Sequence, residues 1–142
     1  MQSRHRIVIA DDHQAVRRSL KMLLGHMPDC EVVAEATNGQ EAVERVEETH
    51  PDVVLMDLSM PLMNGIEAAR QIRTKAPATK ILIVSQYDLP GMVQEAFNAG
   101  VLGYILKVDV GKDLAPALQA ASHDETYMSV SLWRLDHSRE HN

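Results

Sequence analysis

Five residues in this chain could do chemistry together if the fold brought them to one place. Asp11 and Asp12 follow the apolar run Ile7-Val8-Ile9-Ala10, and Asp57 follows Val53-Val54-Leu55-Met56. Ser85 ends the run Ile81-Leu82-Ile83-Val84, and Lys107 ends Tyr104-Ile105-Leu106. Carboxylates about 4 Å apart repel by roughly 4 kcal/mol at an effective dielectric near 20, so three in one cleft demand a counter-charge. A hard divalent ion fits that demand, because Mg²⁺ is held by one or two carboxylates plus water and phosphate oxygens. Lys107 would add a fixed positive charge. A metal and an ammonium around a carboxylate suit phosphoryl transfer, with Asp57 as the nucleophile. Ser85 could then hydrogen-bond a phosphoryl oxygen.

The elements that must position these residues alternate regularly. Apolar, β-branched runs at 6–10, 31–36, 53–56, 81–84 and 102–106 predict strands. Between them, one-face spacing of Val16, Leu20, Leu23 and Leu24 predicts a helix, as do Ala42, Val43 and Val46. Ile66, Ala69 and Ile72 give a third, Val93, Ala96 and Phe97 a fourth, and Leu114, Leu118 and Ala121 a fifth. Asp12, Asn38-Gly39 and Asn64-Gly65 stand where helix caps or turns belong, and Pro90 suits an early helical turn. Gly25 and Gly100 stand near expected helix ends. Strict β–α alternation implies an α/β fold, a parallel sheet with helices on both faces. Right-handed crossovers bring all strand C-terminal ends to one edge, where such sheets bind ligands. Every residue of the opening set lies at such an end.

Composition excludes several alternatives. A chain of 142 residues suits one compact domain, and 45% hydrophobic with 24% charged residues is ordinary for a globule. A net charge of -6 argues against direct contact with nucleic acid. The apolar runs are strand-sized rather than membrane-spanning, no signal-peptide core precedes the first charges, and a lone cysteine, Cys30, fits a reducing compartment. A cytoplasmic location is expected.

The stretches "ADDH", "VVLMDLSMPLMNG", "ILIVSQYD" and "GYILK" occur in that order. Together they resemble the receiver domain of two-component response regulators, over about residues 5–122. "DDHQAVRRSL" and "GYILK" look most like the NarL/FixJ subfamily of transcriptional regulators, whose output is of the LuxR type. The resemblance implies a flavodoxin-like (βα)5 fold, a doubly wound five-stranded sheet in the order 2-1-3-4-5. It implies that Asp57 accepts phosphoryl from a sensor histidine kinase. Asp12, Asp57 and the backbone carbonyl of Ser59 would hold Mg²⁺ or Mn²⁺, with Asp11 assisting through water. Lys107 would contact the acyl phosphate, Ser85 would be the switch hydroxyl, and Tyr104 matches the aromatic position that turns inward on activation. The surface of the fourth helix, fifth strand and fifth helix would then change, to form a receiver homodimer or to control a DNA-binding output domain. Such a domain is not an enzyme, beyond catalysing its own phosphorylation and slow dephosphorylation.

Plainer readings exist for each residue. Asp11 and Asp12 could merely end a strand and cap a helix, Ser85 could bond its own loop, Lys107 could be a solvated strand-end lysine, and Tyr104 could be packing. Joined in one ordered set, they would require several coincidences. Pro61, Asn64 and Gly65 are read as structural, and His13 is assigned no chemistry. An aspartyl-nucleophile phosphatase would want an acid where Ser59 stands. A flavin module would want a Ser/Thr/Gly-rich loop where Asp11 and Asp12 stand. Val108 replaces the proline that many receivers carry after the lysine, and a cis bond before a non-proline residue costs about 2.5–4 kcal/mol. Residues 1–125 are expected to form the receiver and 126–142 a tail or truncated linker, with Trp133 either covering the sheet or meeting a partner. His137 and His141 share a helical spacing in a polar setting that disfavours a metal site. The chain is then either part of a longer regulator or a stand-alone receiver serving as a phosphorelay or docking module.

Overall fold

A computed structural model describes residues 5–132. In chain order it contains β1 (His5–Ala10), α1 (Gln14–Gly25), β2 (Cys30–Ala36), α2 (Gly39–Thr49), β3 (Val53–Met56) and α3 (Gly65–Lys75). There follow β4 (Lys80–Ser85), α4 (Pro90–Asn98), β5 (Gly103–Leu106), α5 (Val110–Ser122) and β6 (Tyr127–Met128), with a 3₁₀ turn, Lys107–Asp109, before α5. The expectations for Trp133, His137 and His141 lie outside the described residues.

Period-2 alternation in each strand feeds two cores. Val8, Val54, Met56, Ile81, Ile83 and Tyr104 point to one face, against Ala42, Val43 and Val46 of α2, Ala68, Ala69 and Ile72 of α3, and Val93 and Ala96 of α4. Ile7, Ile9, Val53, Leu55, Leu82 and Ile105 point to the other, against Leu20 and Leu24 of α1 and Leu114, Ala117, Leu118 and Ala121 of α5. The doubly wound arrangement follows, since each helix hides the apolar stripe that its spacing announces.

The sheet is parallel in the order β2-β1-β3-β4-β5-β6. The expected order of the first five strands is observed, but the expectation of five strands needs correction to six. Residues 127–128, assigned to a tail, add a parallel strand beside β5, pairing Gly103 with Tyr127 and Tyr104 with Met128. Two residues are too few to show an alternating pattern, so their main-chain pairing left no mark on the sequence.

Two other local expectations change. Asp12 does not cap α1: His13 holds the cap position without a side-chain bond, because Asp11 Oδ1 accepts the His13 N–H at 2.8 Å and closes the turn itself. Gly25 is the last residue of α1, and of these two glycines Gly100 is the one with positive φ, at 100°. Asn38 and Asn64 do cap α2 and α3, accepting from the N–H groups of Glu41 and Glu67 at 2.8 and 2.9 Å. No peptide bond among the described residues is cis, so the Lys107–Val108 bond is trans.

Candidate functional site

At the C-terminal edge of the sheet, β1 and β3 lie side by side and end together, Ala10 being paired with Met56. That register delivers Asp11 and Asp57 to one point. The turn after β3 is held tightly: Gly65 donates its N–H to the Leu58 carbonyl at 2.8 Å. A Cβ at Gly65 would stand 2.3 Å from the Asp57 carbonyl oxygen, so the start of α3 can reach the strand end only without a side chain. The structural reading of Asn64 and Gly65 therefore agrees with their contacts.

Asp11 and Asp57 are both buried, while Asp12 is partly exposed. Lys107 enters from the start of the 3₁₀ turn and sets its Nζ 3.0 Å from Asp11 Oδ2 and 3.4 Å from Asp57 Oδ2. One ammonium thus serves two buried carboxylates. Burial, then the neighbouring Asp11 charge, pushes the Asp57 carboxyl above its ordinary value, while Lys107 and the Ser59 backbone N–H act the other way. Burial alone would pull the Lys107 ammonium down, but Asp11 and Asp57 outweigh it and its pKa is raised.

Ligand atoms of Asp11, Asp12, His13 and Asp57 lie within 4.8 Å of one another. Oxygen donors with more negative charge than the lysine can neutralise are the donor set a hard divalent cation takes. This acidic cluster can therefore bind a divalent metal ion. His13, to which the sequence reading gave no role, places Nδ1 3.2 Å from Asp11 and 3.1 Å from Asp12. Arg17, also missed, donates to the Asp11 carbonyl at 2.8 Å and pairs with Glu35 at 3.0 Å. It stands one helical turn beyond His13, and that spacing was the available signal.

Ser85 ends β4, and Tyr104 lies within the neighbouring β5. Ser85 is fully buried, and its Oγ accepts the Tyr87 N–H at 3.0 Å. Tyr104 is already turned inward, its hydroxyl donating to the Tyr87 carbonyl at 2.7 Å, and burial pushes its phenol pKa up. Tyr87 thus links the two residues through its own backbone. Beside the turn that follows Asp57, a cleft of about 270 Å³ opens between Ser59, Asn64, Tyr87, Met92 and Glu95. A roomier groove of about 460 Å³ lies between α4 and β6, away from the acids. Charge, not volume, marks the candidate site.

Known proteins share much of this sequence and fold. A protein 39% identical over 122 residues is the transcriptional regulatory protein DegU of Brevibacillus brevis, aligned over 86% of this chain and 52% of DegU. The oxygen regulatory protein NreC of Staphylococcus aureus is 42% identical over 128 residues, covering 89% of this chain and 59% of NreC. The chain thus spans between half and two thirds of the length of these relatives. A crystal structure of a LuxR-family two-component response regulator from Aurantimonas sp. SI85-9A1 superposes with a TM-score of 0.92 at 35% identity, over 99% of this chain and 100% of that one. No helix among the described residues is long and apolar enough to cross a membrane. The family model of the response regulator receiver domain matches residues 7–119. The chain therefore belongs to the receiver domains of two-component response regulators, with relatives of the NarL/FixJ type, and is a signalling protein rather than a metabolic enzyme.

Proposed function

We propose that Asp57 is the phosphoacceptor of a cytoplasmic switch loaded by a sensor histidine kinase. The observation that carries this reading is the Lys107 ammonium bridging Asp11 and Asp57 at 3.0 and 3.4 Å. In the reaction an Asp57 carboxylate oxygen attacks phosphorus, the phosphorus–nitrogen bond of phosphohistidine breaks, and the imidazole keeps the bonding pair and takes a proton. Asp12 and Asp57 with the Ser59 carbonyl, and Asp11 through water, would hold Mg²⁺ or Mn²⁺, which supplies positive charge to the transferring oxygens. Lys107, with Nζ 3.4 Å from Asp57 Oδ2, would steady the same charge. A cation beside Asp57 favours the ionised carboxylate that a nucleophile needs. The chain's catalysis is confined to its own phosphorylation and slow dephosphorylation.

Phosphorylation adds about -1.5 to -2 charges. Ser85 would leave the Tyr87 N–H to bond a new oxygen, drawing the β4–α4 loop inward and stabilising the inward Tyr104. That biases the surface of α4, β5 and α5 toward a receiver homodimer or toward release of a DNA-binding output domain in a longer protein. A receiver that runs through β6, followed by a linker in a longer protein, fits this plan. Incubation with a small acyl phosphate and Mg²⁺ should add one phosphoryl group by mass, and Asp57→Asn should abolish the gain. No gain, or a gain that survives the substitution, sinks the reading.

A further inference from the structure

The segment after α5 is tied to the acid site by a chain of hydrogen bonds. Within the β5–β6 ladder, Tyr127 N–H donates to the Leu102 carbonyl at 2.9 Å and Ser129 N–H to the Tyr104 carbonyl at 3.1 Å. At the next step a side chain replaces the main chain: Leu106 N–H donates to Ser129 Oγ at 3.0 Å. The Ser129 hydroxyl proton is directed away, to Asp113 Oδ2 at 2.8 Å, and Tyr127 OH donates to Asp113 Oδ1 at 2.7 Å. Asp113, on α5, is buried, and Ser129 is fully buried. The carboxylate therefore fixes the Ser129 rotamer in which an oxygen lone pair faces Leu106.

Leu106 is the residue before Lys107. On the other side of the 3₁₀ turn, Ser131 Oγ donates to Asp109 Oδ2 at 3.3 Å. One short segment, 129–131, thus holds both ends of the three-residue turn from which Lys107 reaches Asp11 and Asp57. Neither Asp113 nor Ser129 touches the acids, so any effect on chemistry must pass through the placement of Lys107.

We propose that Ser129, oriented by Asp113, is a positioning residue for Lys107, and that the segment following α5 is thereby coupled to the phosphoryl site. The coupling is reciprocal: whatever displaces this segment shifts the lysine, and whatever draws the lysine pulls on the segment. The inference rests on Asp57 being the phosphoacceptor.

The test is a double-mutant cycle on the full 142-residue chain, measuring phosphoryl incorporation from a small acyl phosphate with Mg²⁺ against donor concentration. Ser129→Ala should lower the saturating rate roughly ten- to a hundredfold, the scale of an ångström-sized misplacement, with half-saturation unchanged. In a Lys107→Met background the same substitution should have less than about a twofold effect, because the two share one pathway. An equal fold-loss in both backgrounds, or no loss in either, overturns the proposal. A second measurement needs no variant. Beryllofluoride with Mg²⁺ should shift the Leu106 and Ser129 amide resonances together, and a response at Asp57 that leaves Ser129 unmoved also overturns it. Absence of phosphoryl uptake by the unsubstituted chain removes the Asp57 reading and this inference together, whereas normal uptake indifferent to Ser129 removes this inference alone.

Discussion

Two buried aspartates of equal exposure, 3% each, one on α5 and one after β3, behave differently. Asp113 accepts hydroxyl hydrogens from Tyr127 and Ser129, and both its oxygens are satisfied by neutral donors. Asp57 shares a single ammonium with Asp11 at 3.4 Å and carries an upward pressure on its pKa from burial and from that neighbour. The first carboxylate is solvated by the protein and holds it together. The second is crowded by a like charge, and its ionisation works against the fold. Burial alone therefore does not single out an acid; the like charge close by is what marks Asp57 as the candidate.

Substitutions can break the comparison, and the largest effect belongs at the quieter acid. Asp113→Ala leaves two hydroxyls without their acceptor, so it should cost about 3 kcal/mol of unfolding free energy by urea titration. A loss below about 1 kcal/mol would show that water takes the carboxylate's place.

At the crowded acid the sign reverses. Asp57→Asn should stabilise the fold at neutral pH by about 1 kcal/mol, the usual gain when a strained functional charge is removed. Because the folded-state pKa of Asp57 is raised, its cost appears as pH climbs from the ordinary value of 3.8 through the folded value. The advantage of the asparagine should therefore vanish in melts below about pH 3.8. A constant advantage across that range would mean that something other than charge is relieved.

Tyr127→Phe is the mildest probe, costing about 1 kcal/mol at neutral pH for one lost hydrogen bond. Its sharper reading is alkaline. Burial, then the bond to Asp113, pushes the Tyr127 phenol up to about 12 from an ordinary 10.0. The unfolded chain releases that proton first, so stability falls as pH rises through this window. The phenylalanine variant should lose less stability between pH 10 and 12, as followed by chemical denaturation at fixed pH values.

Much of this architecture was legible because period and burial agree. The Val53–Met56 strand is a pure apolar run and appears with the bounds its composition indicates. Asn38 and Asn64 act as caps because a short amide beside glycine has few other uses there. The acids at strand ends were legible too, since topology alone carries them to one edge. Elsewhere a competing interaction hid the answer. Asp12 looked like a helix cap, yet Asp11 satisfies the His13 N–H and leaves Asp12 beside the cleft. The Asp113–Ser129 pairing joins residues 16 apart through a helix and a two-residue strand, which no periodicity reveals. One signal was available: Asp113 lies one turn before Ala117 on the buried face of α5, an odd place for a charge unless it has partners.

The sixth strand also decides what a shortened version of this protein would become. A cut at residue 125 follows the apparent end of the domain, but it would strip β5 of its outer neighbour and leave the Leu106 N–H without its Ser129 acceptor. A bare sheet rim invites pairing with another chain. The trimmed molecule would thus gain a stickiness unrelated to signalling, and self-association measured on it would report the missing strand rather than the switch.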